Sequence, residues 1–223
     1  NIIINGDMSI AQRSTSVSGL TNGSNGYHTI DRYRFSELTS PSFVFTQSQS
    51  TDVPSGYGFA SSWKIEATTG DGALGSGEYH IVQQKIEGQN VQLFKYGTSS
   101  AESVTLSFWV KATVTGTYVI ELENNDHNRS ISQTYTISTT NTWEKKTLTF
   151  SGDTSNAPNN DNGTGFSVNW WLGAGSDFSG GTLQTSWGSQ TDNARAVGQV
   201  NTFENNNNVF LLTGVQLEVG TSA

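Results

Sequence analysis

Tryptophan on an alternating strand is the first feature of this chain that can do chemistry. In Leu106-Ser107-Phe108-Trp109-Val110-Lys111, Leu106, Phe108 and Val110 point one way while Ser107, Trp109 and Lys111 point the other. If the first set is core, Trp109 faces outward or into a concave sheet face. There its ring can stack on the C–H-rich side of a pyranose while Ser107 and Lys111 reach hydroxyls; the bland alternative is a ring covered by a loop or a partner chain. Glu121, Glu123, Asn169 and Trp171 hold corresponding alternate positions in other strand segments and are expected to line the same face. Trp170 and Trp171 are consecutive, so one of them must point away from the core. Trp187 lies in the Gly-rich stretch 180–188, where its ring either touches a ligand or neighbouring subunit or anchors the loop. Trp63 and Trp143 read as packing residues.

Other chemistries find little support. Glu121 and Glu123 are two apart on a strand, roughly 7 Å by strand rise, a separation used by the paired carboxylates of glycosidases. A glycan depolymerase is therefore a rival reading, but no second signature accompanies the pair and the expectation is a non-enzyme. His28, His80 and His127 are scattered without a metal-binding spacing. Cysteine is absent, which excludes disulfides and thiol nucleophiles. No Gly-rich loop follows a strand and opens a helix, so nucleotide binding is not indicated. The net charge of −8 provides no basic footprint for nucleic acid. No apolar run approaches ~18 residues, so membrane insertion by a helix is not expected.

The elements that must position these side chains are strands. Charged residues make up 13% of the chain, about half the usual share, and polarity comes instead from Ser, Thr, Asn, Gln and Gly. That supply disfavours a surface built of helices. Strand patterns fall at 2–4, 31–37, 43–47, 63–68, 79–86, 106–111, 118–123, 134–137, 146–150, 166–172 and 209–219, separated by Gly, Asn, Ser and Asp clusters. Stretches 91–96 and 192–198 can each hold a helical turn. Segments 18–26, 151–165, 173–193 and 204–208 read as loops. About eleven strands predict an all-β, two-sheet antiparallel sandwich, and 223 residues suit one such domain. The opening, without an initiator Met or a secretion signal, reads as a segment of a longer polypeptide or a processed product.

Three stretches together resemble a domain of marine bacteriophage virion proteins. They are 1–13, with Asn1-Ile2-Ile3-Ile4-Asn5-Gly6-Asp7-Met8; 86–111, from Ile86-Glu87-Gly88-Gln89-Asn90-Val91 into Ser107-Phe108-Trp109-Val110-Lys111; and 142–146 with 212–220. More distantly they resemble the jelly-roll carbohydrate-binding modules of glycan-degrading enzymes. The resemblance implies a jelly roll in a tail fibre, spike or capsid decoration. Its partners would be other virion proteins and a host-surface glycan, and a homotrimer is the expected oligomer. A purely architectural role is the chief alternative. The side chains expected from their strand and loop positions to serve the glycan are Trp109, Lys111, Glu121, Asn169, Trp171 and Trp187. By the resemblance, a structural Ca2+ would join the N-terminal turn to the last strand through Asp7 and Glu218, although the paired acids usual in that strand are replaced here by Thr213-Gly214.

Overall fold

Alternating apolar and polar side chains decide which side of each strand meets the core. The computed structural model describes residues 1–39 and 42–223. Among these, twelve strands occur: β1 (Ser16–Thr21), β2 (Tyr33–Leu38), β3 (Val44–Ser50), β4 (Ser62–Thr69), β5 (Tyr79–Glu87), β6 (Val104–Ala112), β7 (Gly116–Asn124), β8 (Arg129–Ile137), β9 (Glu144–Phe150), β10 (Thr164–Ala174), β11 (Gly188–Ser189) and β12 (Val209–Val219). They form two antiparallel six-stranded sheets. The front sheet has the order β1-β3-β4-β12-β6-β9 and the back sheet β11-β8-β7-β10-β5-β2. From β5 onward the chain passes repeatedly between the sheets, which makes the sandwich a jelly roll.

The inner faces carry the expected sets. Leu106, Phe108 and Val110 of β6 and Phe166, Val168, Trp170 and Leu172 of β10 are all fully buried in one core with Tyr33, Phe35, Phe45 and Trp63. Phe108 meets Trp170 edge-on, with ring centroids 5.8 Å apart. The helical turns expected near 91 and 192 are 3-10 turns at Gly88–Phe94 and Asp192–Ala194. Two expectations need correction. Residues 2–4 form no strand; instead the Ile2 N–H donates to the Leu217 carbonyl at 3.1 Å. Residues 16–21, placed partly in a loop by their Ser and Gly content, form β1, whose pairing with β3 shifts register between Val17 and Leu20 around the left-handed Gly19.

The back sheet is covered on both faces. Residues 175–203, between β10 and β12, cross its outer side as a strap. Phe178, Leu183 and Ala196 of the strap pack on Ile81, Val119 and Trp171 of the sheet. The Ser132 N–H donates to the Gln184 carbonyl at 2.7 Å, and the Val119 N–H to Gln199 Oε1 at 2.8 Å. β11 adds to the β8 edge. At the centre, Arg195 of the strap binds Glu121 with two nitrogens, at 2.8 and 2.9 Å, and Glu123 at 2.6 Å. The Trp171 indole N–H also donates to Glu121, at 3.1 Å, and the Arg195 guanidinium lies 5.2 Å from the Trp171 ring. Burial, with the charge of Glu123 added, pushes the Glu121 carboxyl above its ordinary range, while Arg195 draws it back.

Two outcomes follow from this packing. Arg195→Met leaves two carboxylates buried without their cation and should cost about 3–5 kcal/mol in urea unfolding, whereas a loss under about 1 kcal/mol would show that the strap is held by its apolar contacts instead. His80 is fully buried among Phe35, Phe43 and Phe203, and neither ring nitrogen has a hydrogen-bond partner among the described residues. Burial lowers its pKa from 6.5 to about 3. The unfolded chain therefore takes up a proton that the folded chain refuses: the His80 contribution is intact above pH 6.5 and declines as pH falls towards 3. Between pH 7 and pH 5 the wild type should lose about 2 kcal/mol more than His80→Phe, measured by urea unfolding at each pH.

Candidate functional site

Because the strap closes the back sheet, the open outer surface belongs to the front sheet. β6 lies between β9 and β12, so Trp109 stands directly beside Lys145 on one side and Thr213 on the other. One rung along, Ser107 stands beside Thr147 and Gln216. Directly opposite side chains of neighbouring strands share a face, so three segments distant in sequence meet here.

Segment 51–61 is laid over this face and fixed near both ends. Lys111 Nζ lies 2.6 Å from Asp52 Oδ2, and the Trp143 indole N–H donates to Asp52 Oδ1 at 2.9 Å. Partial burial pushes the Asp52 carboxyl up, but the bonds from Lys111 and Trp143 outweigh it and leave it below its ordinary value. At the other end the Thr213 hydroxyl donates to the Ser61 carbonyl at 2.7 Å. Between these anchors Gly56 and Gly58 adopt left-handed backbone, with φ of 83° and 79°, and carry Tyr57 between them. The Tyr57 ring rests against Trp109 with centroids 4.4 Å apart, yet the residue remains 61% exposed.

A bulge in β12 makes room for the next aromatic. The pairing of β12 with β6 shifts register between Thr213 and Gln216, where Gly214 has φ of 63°. A Cβ there would lie 2.6 Å from Phe59 and 3.0 Å from Trp109, so only glycine leaves room for both rings at this point. The result is a cleft of about 450 Å³ lined by Tyr57, Phe59, Trp109, Lys145, Gln216 and Asp7. Neither Lys145 nor Gln216 spends its side chain on another described residue, and both are exposed. Apolar rings beside uncommitted polar groups, in a cleft of this volume, are what a small polar ligand with one apolar face requires.

The residues singled out from sequence are thus divided. Trp109 does sit on an outer face, half covered by segment 51–61, and Lys111 is beside it; but Glu121, Asn169 and Trp171 are on the opposite side of the sandwich. Those three do meet, since the Asn169 amide donates to Glu121 at 3.3 Å, but all are fully buried beneath the strap. They pin the strap and present no ligand surface. The same burial, with both carboxylates held by Arg195, leaves the Glu121–Glu123 pair closed to a glycan. Lys111 is committed to Asp52 and therefore positions the loop. Ser107, expected to reach a ligand hydroxyl, is fully buried at the base of the cleft. Trp187 packs on Tyr96 and Phe166 and donates its indole N–H to the Ser151 carbonyl at 2.7 Å, which makes it a loop anchor. Tyr57 and Phe59 were missed; their signal was an aromatic pair spaced by glycines in a segment too irregular for a strand.

The residues at the N-terminal turn do not fit a calcium ion. Asp7 Oδ1 accepts from the Ser9 hydroxyl at 2.9 Å, whereas Glu218 Oε2 lies 3.0 Å from the amino group of Asn1. No group of three or more acidic or histidine side chains among the described residues could surround a cation, and Ca2+ wants six to eight oxygens. Backbone contact joins the turn to the last strand instead: the Val215 N–H donates to the Gly6 carbonyl at 2.9 Å, and a Cβ on Gly6 would fall 2.1 Å from the Val215 carbonyl oxygen.

No protein-family model and no curated protein sequence matches the chain. Solved structures similar to it include the enzymatically active domain of tailspike protein 4 of bacteriophage CBA120, with 15% identity and a TM-score of 0.48 over 91% of this chain and 21% of that one. A family 4 carbohydrate-binding module is 12% identical with a TM-score of 0.44, over 97% of this chain and 99% of the module. A family 11 module from Clostridium thermocellum, in complex with a β-1,3-1,4-mixed-linked tetrasaccharide, is 8% identical with a TM-score of 0.43, over 94% and 99% of the two chains. The chain spans only about a fifth of the tailspike chain. At these identities the likeness is one of β-sandwich architecture.

Proposed function

We propose that this chain is a carbohydrate-binding module displayed on a bacteriophage particle, and that the cleft beside Trp109 takes a neutral sugar ring. The observation that carries the binding reading is Tyr57, a ring largely exposed on a loop fixed at both ends and backed by Trp109. A pyranose buries its C–H face against such a ring while Lys145 and Gln216 hydrogen-bond its hydroxyls. Trp109 acts mainly from behind, by holding the Tyr57 ring in place. The particle context is supported by the virion-like stretches at 1–13, 86–111 and 212–220, and by a surface rich in Ser, Thr and Asn and poor in charge. A tail fibre, spike or capsid decoration presents many copies, a trimer in the first two cases. Repetition multiplies a weak contact through effective concentration, so a single shallow cleft suffices for attachment.

The test is glycan-array binding of the whole chain, followed by titration of the best neutral oligosaccharide. Tyr57→Ala should weaken binding by about tenfold, and Tyr57→Phe, which keeps the ring, by less than about threefold. Trp109→Ala should weaken it to a similar degree as Tyr57→Ala. A chain that binds no neutral glycan, or binds one equally well without the Tyr57 ring, would leave the architectural role in its place.

A further inference from the structure

A second cleft, of about 510 Å³, opens on the other side of the N-terminal turn, with Asn5 lining both. Its walls come from segment 4–13, from Tyr27 and 31–32, and from the end of β5 and the start of β10. Three cations line it, Arg13, Arg32 and Lys85, against two carboxylates, Asp31 and Glu87, on a chain whose net charge is −8. The three are not equivalent. Arg32 is spent on Glu87 through two parallel bonds of 2.9 Å, and its remaining contact is to the Lys85 carbonyl at 3.3 Å. Its backbone is left-handed, with φ of 72°, a costly conformation for a long side chain that the Glu87 pair holds in place.

Arg13 and Lys85 remain available. Arg13 lies 3.4 Å from Asp31 through one nitrogen and is 55% exposed, so most of its N–H groups are uncommitted; its guanidinium sits 5.7 Å from the Tyr27 ring centroid. Lys85 projects from the outer side of β5, half-buried, and its ammonium meets no acid and no side-chain acceptor among the described residues. A half-buried ammonium without a counter-charge, facing a cleft, is a standing demand for an anion. The cleft is also apolar on one side: Ile4 is 47% and Ile10 45% exposed beside Tyr27. One negative charge on a body with an apolar face answers both features.

We propose that this second cleft binds a carboxylated saccharide, its carboxylate received by Lys85 and Arg13 and its ring laid against Ile4, Ile10 and Tyr27. This does not rest on the reading of the Trp109 cleft, since it uses none of the same side chains. Arg32 and Glu87 serve as positioning residues that fix the wall from which Lys85 projects.

The experiment titrates the whole chain with tetragalacturonate, with the same tetrasaccharide after carboxyl reduction, and with sialyl-lactose. At least one acidic saccharide should bind, and carboxyl reduction should weaken binding about tenfold or more. Lys85→Met and Arg13→Gln should each weaken the acidic ligand by about tenfold without lowering the melting temperature, because Lys85 has no acid partner to lose and Arg13 has only one long contact to Asp31. Tyr57→Ala should leave this binding unchanged. The proposal is overturned if no acidic saccharide binds, if reduced and acidic forms bind alike, if Lys85→Met and Arg13→Gln bind as wild type, or if Tyr57→Ala abolishes the binding.

Discussion

A sheet can leave only one face in water if its other face is apolar, and the back sheet has apolar residues on both. Trp170 and Trp171 are neighbours on β10, so one indole fills the space between the sheets and the other emerges on the far side with Ile81 and Val119. That second apolar face must be covered, and the strap 175–203 covers it. Everything that distinguishes the two sides of the molecule follows from this burial. Polar groups drawn into the covered layer need partners, and Glu121, Glu123, Asn169, the Trp171 indole and Arg195 supply one another. The strap is chemically the less expected part of the fold, since a buried ion pair within an apolar patch adds to its short pairing with the β8 edge.

The periodicity of the sequence was sufficient for the fold class and for the inner face of nearly every strand. The bounds of β12 were legible in full, and β6 was read at 106–111 of its 104–112, where Leu106, Phe108 and Val110 alternate with Ser107, Trp109 and Lys111. What alternation cannot supply is which strands adjoin. Trp109 and Trp171 both point away from the core, and sequence alone put them together; pairing of β6 with β9 and β12, and of β7 with β8 and β10, puts them on opposite sides. These partners are long-range in sequence, and their choice is a global packing outcome. The strap was hidden for a related reason. Its Gly, Ser and Asn content reads as a loop, and the few apolar residues that bury it, Phe178, Leu183 and Ala196, have no period.

The N-terminal turn is held by side-chain hydrogen bonds within the turn and by close backbone approach outside it. Asn5-Gly6-Asp7 lies against the last strand. Here Asn5 binds its own loop: its amide accepts from the Ile10 N–H at 2.9 Å and donates to the Ile10 and Asp31 carbonyls at 2.9 and 3.0 Å. Gly6 then meets the bulge of β12 by backbone alone. Hydrogen bonds and a missing Cβ thus fix the turn against the last strand, and they leave it as a wall between two clefts.

Segment 51–61 explains why so small an aromatic platform can be effective. A loop that orders only on binding spends part of the interaction on its own conformational entropy. This one is already fixed, through the Lys111–Asp52–Trp143 cluster at its start and the Thr213–Ser61 bond at its end. The two left-handed glycines lie immediately beside Tyr57 and let the chain turn so that its ring projects from the loop. Gly214 completes the arrangement by admitting Phe59 behind the tip. Fixed anchors lower the cost of each contact without making the contact strong. On the proposed reading that combination suits a surface whose grip comes from copy number, with the segment's fixed ends and its glycine-flanked tyrosine serving the same contact.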